Sequence, residues 1–548
     1  MHVHRAPSEE RESCPDDDDV NHPDSPSTSS TTLFDYAHEE DGLLSKESLQ
    51  TLKQDWPTNL ISHFRTRRRT LRRILRRQPA KAILVALKCT LLALCIVLTI
   101  TPLFFPSYTH PPKHYHALKS RCQSQGHSHP LPGCANAFDE NVFISVSLYD
   151  PAGTLARSLW ADRLLEVIRL IGPDRVYLSI YENDSGPEGA SALESLKTRL
   201  RCRYSIVNDA HVDPADFPTL TLPDGSSRVK RLAYLSELRN RPLRPLDRVG
   251  PGGVLMRFDK ILFLNDVAFD PPDAVQLLFS TNVGRDGRAH YLSACALDYY
   301  QPFLFYDLYA SRDAEGYSMG LPFFPLFSGE GPAASRAAML DQRDAVPVKS
   351  CWSGMVAMQA QHVQHLNASL PDPQFHDIGR HVINPKNPSS VSSPVRFRYE
   401  PELFFDACEC CLFQADVARV AHTVGDEDQG MFVNPYVRVA YKESVLRWLS
   451  WARKWERLFV IPHAIGTSLA SLPTHNPHRT VREGEPFTEE VWMGEGMAGR
   501  WRLVRHVARN GMFCGVRDFQ TLRLGTRDGD INWENIKIPT GQTLHQPT

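Results

Sequence analysis

Asn265 and Asp266 close an apolar run in the stretch KILFLNDVAFDPPDAVQLL, Lys260–Leu278. An amide beside a carboxylate at a strand end can hold a hard divalent cation such as Mg2+ or Mn2+. Such a cation can bridge a diphosphate and neutralise charge on a leaving phosphate. The same pair also serves as a turn or helix cap. A second acidic pair, Glu409 and Asp416 in ECCLFQAD, lies seven residues apart, so both can face one side of a helix. Cations concentrate in SRVKRLAYLSELRNRPLRPL, Ser227–Leu246, which reads as an amphipathic helix with Arg228, Lys230, Arg231 and Arg239 on a basic face. That face is either solvated or directed at a diphosphate.

These residues need elements to position them. Val142–Ser147 alternates like a strand, and Thr154–Leu170 has helical spacing up to Gly172-Pro173. A strand over Arg175–Asp184, a helix over Gly189–Leu200 and a strand in CRYSIVND follow. This alternation predicts a mainly parallel α/β sheet, in which ligands sit beyond the C-terminal strand ends. Glu182-Asn183-Asp184 and Asn265-Asp266 are therefore where chemistry is expected.

The chain has 548 residues and a formal charge of −2, long enough for one large catalytic domain with accessory parts. The near-neutral balance gives no support for a nucleic-acid partner. Residues 1–63, with the acidic run Asp16–Asp19 and a Ser/Thr-rich stretch, read as a disordered tail. Residues 64–81 are dense in arginine, and 82–105 form an apolar segment of membrane-spanning length whose single charge is Lys88. Arginines on the cytosolic side read as a single-pass type II anchor with everything after it in the lumen, and the basic flank with a modest apolar span suits an early secretory membrane, Golgi or ER. Residues 106–138, rich in His and Pro, read as a stem, 139–525 as the catalytic domain and 526–548 as a tail. Nine cysteines follow the anchor, an odd number, so at least one is free or pairs between chains. The sequons at Asn183 and Asn367 are compatible with glycosylation. Cys408–Cys411 has no second Cys/His pair at zinc-finger spacing nearby.

The stretch FDKILFLNDVAFDPPDAVQLL resembles the fungal capsule-associated α-1,3-mannosyltransferase family, glycosyltransferase family 69. RLAYLSELRNRPLRPL, ACALDYYQPFLFYDLYASRDAEGY, PVKSCWSGMVAM, ECCLFQADVA and VNPYVRVAY match in the same order, and the resemblance covers roughly 141–516. It implies a GT-A fold: a Rossmann-like mixed sheet whose first half binds the nucleotide and whose second half binds the acceptor. It also implies GDP-mannose as donor, a mannose-containing glycan or polysaccharide as acceptor, and Mn2+ or Mg2+ as cofactor. Asp266 looks like the metal acid, with Asn265 where the family type of motif usually has its first Asp. Arg231 and Arg239 fall in the nucleotide-facing block, with Glu182 and Asp184 near the base or ribose by position. Asp298, Arg312 and Asp313 look acceptor-facing, although Arg312-Asp313 reads equally as a turn ion pair. Trp352 is available to stack on the sugar or to pack in the core. Glu409 or Asp416 would act at the acceptor or stabilise an oxocarbenium-like state. His463 and His475 are the candidates for a further metal ligand.

Two other functions compete. A membrane-anchored scaffold or export factor for polysaccharide would tolerate the degenerate Asn265-Asp266 motif. A glycosidase would need two carboxylates about 5–10 Å apart across a cleft, which the ordered blocks disfavour.

Overall fold

The computed structural model describes residues 79–123, 131–247, 249–250, 253–254, 256–365, 393–425, 429–473, 478–493, 499–523 and 533–537. The expected disordered tail, most of the arginine-rich segment, Asn367, His475, and the histidines His127 and His129 lie outside these residues. Two compact units are distinguished, one ending at Val97 and the other beginning at Leu98. The apolar segment forms a helix, Pro79–Phe104 (α1), whose stretch Ile83–Phe104 has a mean hydropathy of 2.7 and is long and apolar enough to cross a membrane.

The larger unit is built on a mixed sheet. Its principal strands are Val142–Leu148 (β1), Val176–Asn183 (β2), Arg203–Asp209 (β3), Lys260–Leu264 (β4), Ser293–Gln301 (β5), Val346–Ser350 (β6), Met355–Gln359 (β7) and Met431–Ala440 (β8). Across the sheet the order is β6-β8-β5-β7-β4-β1-β2-β3, with Arg312–Asp313 added beyond β6. The pairings β3–β2, β2–β1, β1–β4 and β5–β8 are parallel, while β7 runs antiparallel between β4 and β5. The C-terminal ends of the parallel strands and the start of β7 therefore meet at one rim.

Alternation explains why the sheet is covered on both faces. From β1, Val142, Ile144 and Val146 enter one core cluster and Phe143 the other; from β4, Leu262 and Leu264 divide from Ile261 and Phe263 in the same way. The first cluster packs beneath Leu159–Ile171 (α3), Gly186–Arg199 (α4) and Pro271–Ser280 (α6). The second packs beneath Glu409–Thr423 (α7) and the segment around Phe397. Helix α3 starts later than its apolar spacing predicts, because Ser158 caps it by accepting from the Trp160 amide at 3.3 Å. It stops at Gly172, whose φ of 105° is unfavourable for any side-chain-bearing residue.

The stretch 227–246 is not one helix. Ser227–Val229 is a short strand, Arg231–Asn240 (α5) the helix, and Arg241–Asp247 a 3-10 turn. Its cations are not a solvated face either. Lys230 is buried against Asp406 at 2.8 Å and three backbone carbonyls, and Arg231 is also buried.

The region expected to be an irregular stem is partly folded. Lys113–Cys122 (α2) buries Tyr115 and Leu118, and the buried Tyr108 hydroxyl donates to the Met339 carbonyl at 3.0 Å. A Cys122–Cys134 disulfide closes this region, and Cys295–Cys351 and Cys411–Cys514 form two more. Cys202, Cys408 and Cys410 stay free, in keeping with the odd count. Asn183 is a poor glycan acceptor: it is buried at the end of β2, and its amide donates to the Tyr234 hydroxyl at 3.1 Å. Part of the C-terminal tail is ordered, since Trp533–Asn535 pairs with Gln520–Leu522.

Candidate active site

Asp266 is presented at the rim by a clamped turn. Leu264 and Val267 are both buried and Asp266 between them is exposed. The Asn265 amide donates to the Gly354 carbonyl at 2.9 Å, and the Trp160 indole donates to the Asn265 carbonyl at 3.2 Å. Ala268 and Ala440 exchange backbone hydrogen bonds at 2.7 and 3.0 Å, tying the turn to the end of β8. The abrupt end of the apolar strand thus delivers one carboxylate to the rim on a backbone held from three sides.

Behind Asp266 lie two carboxylates, Asp298 fully buried and Asp307 partly buried. The Tyr441 hydroxyl, just past β8, donates to Asp298 Oδ2 at 3.1 Å. Asp298 Oδ1 accepts from the Asp307 amide at 3.1 Å. Burial and then the Asp307 charge push the Asp298 carboxyl well up. Burial pushes the Asp307 carboxyl up, and the amides of Ala310, Trp352 and Ser353, donating to it at 3.0, 3.2 and 2.9 Å, work against that rise. Burial pushes the Tyr441 phenol up, and the charges of Asp298, Asp266 and Asp307 add to that. Asp298 is fully buried, so it braces Tyr441 rather than meeting an acceptor. Asp307 and Tyr441 were not singled out from sequence. A lone acid among the aromatics of FLFYDLYA, and a tyrosine directly after an apolar strand, were the available signals.

Trp352-Ser353-Gly354 joins this rim to a second charged group. Ser353 and Gly354 both have left-handed backbones, with φ of 52° and 70°. A Cβ on Gly354 would sit 2.7 Å from the Val267 side chain, so this close approach requires glycine. The Trp352 ring packs against Phe263 and Phe397 at centroid distances of 5.1 and 5.4 Å, which makes it a core residue. Its outer partner is Arg239, whose guanidinium lies 4.9 Å from the ring centroid. Arg239 Nε donates to Glu409 Oε1 at 2.8 Å, and both side chains are almost fully buried. Burial works to raise the Glu409 carboxyl, but Arg239 and then Arg231 hold it below its ordinary value, so it is ionised. Arg231 donates to Gln520 Oε1 at 2.6 Å and stacks on Trp533 at 4.7 Å. Among the described residues, the buried Tyr309 hydroxyl, Trp352 indole nitrogen and Ser353 hydroxyl have no hydrogen-bond partner.

The remaining candidates have other roles. Asp184 meets His211 Nδ1 at 2.5 Å at the ends of β2 and β3, and that contact raises the imidazole's affinity for its proton. Glu182 is fully buried, accepts from Asn208 at 2.5 Å, and lies where a Cβ on Gly189 would collide with its Oε1. It braces the start of α4 rather than facing a ligand. Arg312 donates to the carbonyls of Tyr309, Ser311, Phe513 and Cys514, while Asp313 accepts from the amides of Glu315 and Tyr317. They are two buried backbone clamps, neither a turn ion pair nor an acceptor surface.

Asp416 and Glu409 share α7 but not a site. Arg398 grips Asp416 at 2.7 and 3.1 Å, Asn510 adds a bond at 2.8 Å, and Arg398 also binds Glu400 at 2.7 Å. Asp416→Asn leaves a buried guanidinium short of charge, and we expect a loss of about 3–5 kcal/mol. Denaturant unfolding of the full chain in detergent checks this.

His463 is not at the rim. It is buried on Val460–Leu469 (α9), where Nδ1 meets Arg336 Nη1 at 3.2 Å. Burial, then the Arg336 charge, lowers its pKa from 6.5 to about 4. The neutral ring therefore stabilises the fold fully above pH 6.5, and that contribution is lost as pH falls toward about 4. A stability profile across this window should flatten in His463→Gln.

Among the described residues, two groups offer three potential metal ligands within 4.8 Å: Cys408, Glu409 and Cys410, and Glu402, Glu489 and His506. The first is disfavoured by Arg239, which already occupies Glu409, and by burial, which pushes the Cys410 thiol well up. Asp266 fits a divalent cation differently. One exposed carboxylate with the Asn265 amide beside it suits Mn2+ or Mg2+ that takes its other oxygens from a diphosphate and water.

The family described as Cryptococcal mannosyltransferase 1 matches residues 141–416, half of the chain, spanning β1 to the middle of α7. No curated protein matches. Two solved structures are similar at 12% identity. One is the mannosyltransferase PcManGT of Pyrobaculum calidifontis in complex with GDP-Man and Mn2+, covering 70% of this chain and 88% of that one with a TM-score of 0.28. The other is mannosyl-3-phosphoglycerate synthase of Rubrobacter xylanophilus, covering 72% and 95% with a TM-score of 0.25. Shape similarity at this level carries no argument. The family match contains Asp266, Asp298, Asp307, Trp352, Arg239 and Glu409, and by it the chain belongs to the Cryptococcal mannosyltransferase 1 family.

Proposed function

We propose that this protein is a membrane-anchored transferase that moves mannose from GDP-mannose to a mannose-containing glycan or polysaccharide, forming an α-1,3 bond with retention. The observation that carries this is the Trp352–Gly354 loop, which joins the exposed Asp266 carboxylate to the buried Arg239–Glu409 pair at the strand-end rim of a mixed sheet. The sheet is read as a GT-A fold. Its β3-β2-β1-β4 half faces the nucleotide, with Asp184 and His211 near the base or ribose.

Asp266, with Asn265, would hold Mn2+ or Mg2+, which neutralises the diphosphate as it leaves. Arg239 and Arg231 add positive charge on the diphosphate side. In the transfer the C1–O bond to GDP breaks and a bond from C1 to the acceptor hydroxyl oxygen forms. The acceptor proton goes to the departing phosphate oxygen, so no separate base is required. Glu409, kept ionised by Arg239, is unsuited to taking that proton and suited to stabilising positive charge at C1. Helix α1 would anchor the chain as a type II protein of the Golgi or ER, serving capsule or cell-wall synthesis. The three disulfides are compatible with an oxidising lumen.

The test is transfer by the purified full chain in detergent, supplied in turn with GDP-mannose and other nucleotide sugars, mannoside acceptors, and Mn2+ or chelator. Metal-dependent mannosylation selective for GDP-mannose is expected. A product with inverted configuration would refute the retaining step, and transfer from another donor alone would refute the donor.

A further inference from the structure

Helix α9, Val460–Leu469, is polar inside and apolar outside. His463 and Thr467 are its buried residues, whereas Ile461, Ile465 and Leu469 are 70, 56 and 82% exposed. The exposed three are spaced i, i+4, i+8 and form one stripe along the helix. A surface helix in water normally shows the opposite arrangement. The neighbouring helix Glu443–Ala452 (α8) continues the apolar surface with Trp448 and Trp451, 54 and 43% exposed. Trp451 stacks on Trp455 at 4.2 Å.

The chain itself indicates what covers this surface. The Trp455 indole donates to the Leu98 carbonyl, in the last turns of α1, at 3.1 Å. Immediately after α1, the Ser107 amide donates to the Arg453 carbonyl at 3.0 Å, and Arg453 donates to the Tyr108 carbonyl at 3.1 Å. No spacer separates the end of the apolar helix from α8 and α9. Exposed Lys442, Arg447 and Lys454 flank the tryptophans. Tryptophans with adjacent cations and a facing aliphatic stripe are the composition of a bilayer interface.

We propose that α8 and α9 form a lipid-facing surface, so that the catalytic unit lies on the membrane rather than on a stalk above it. The occupant is the bilayer into which α1 inserts, and the inference rests on the anchoring role of α1. An enzyme seated in this way would act on acceptors at the membrane surface.

The test uses the full chain in phosphatidylcholine vesicles, with Ile465→Trp and, at the far sheet edge, the exposed Val207→Trp as control. Vesicles with acyl-brominated lipid are expected to quench the tryptophan added at 465 and not the one added at 207. Equal quenching of the two, in a chain that resists carbonate extraction, would overturn the lipid-facing surface alone. Release of the chain by carbonate would overturn the anchor and this inference with it.

Discussion

Asp266→Ala is expected to reduce mannosyl transfer by about 10²–10³-fold, the size of loss that follows when one preorganised charge-stabilising group is removed from an active site. The fold should hardly notice, because the side chain is exposed and its turn is held through the backbone of Asn265 and Ala268. Surface replacements of this kind stay within about 0.5 kcal/mol. The loss should be accompanied by a shift of the Mn2+ dependence to higher concentrations. Rates with GDP-mannose across a Mn2+ titration, alongside an unfolding curve, measure both parts. A variant that loses activity and stability together would place Asp266 in the framework instead.

The second large effect concerns Arg239 and Glu409. Arg239→Met leaves the Glu409 carboxylate buried and short of its principal counter-charge, which costs about 3–5 kcal/mol. Arg239→Met with Glu409→Leu removes both charges, and replacing a buried pair by apolar groups is often neutral or stabilising. The double variant should therefore recover the stability lost in the single one. It should not recover transfer, because the proposed role of the ionised Glu409 carboxylate in steadying positive charge at C1 is lost with it. Unfolding and transfer assays on the wild type, the single and the double variant separate the two roles. Recovery of both quantities would make the pair structural.

The sequence was most legible where local pattern decides the outcome. The strand Lys260–Leu264 ends where the apolar run meets Asn265-Asp266, because five buried residues stop at a polar pair. The first βαβαβ alternation was readable for the same reason, with helix starts displaced by caps and turns. What stayed hidden depends on partners distant in the chain. Arg239 reads as part of a basic face, either solvated or directed at a diphosphate, and nothing in the local pattern shows that Glu409, 170 residues on, is brought to it. Asp416 reads as catalytic until Arg398 and Asn510 surround it. Arg312 and Asp313 look like an ion pair because they are adjacent, yet in a strand adjacent side chains leave on opposite faces. The His- and Pro-rich stretch after α1 has little periodicity, and tertiary burial of Tyr108 and Tyr115 orders it.

The most direct test of the central claim is calorimetric titration of GDP-mannose into the full chain in detergent, with Mn2+ and with chelator, for the wild type and Asp266→Ala. The account predicts Mn2+-dependent binding by the wild type that the variant loses. Binding indifferent to both the metal and Asp266, or no binding by a folded wild type, would contradict it, and the latter would favour a polysaccharide scaffold or export factor.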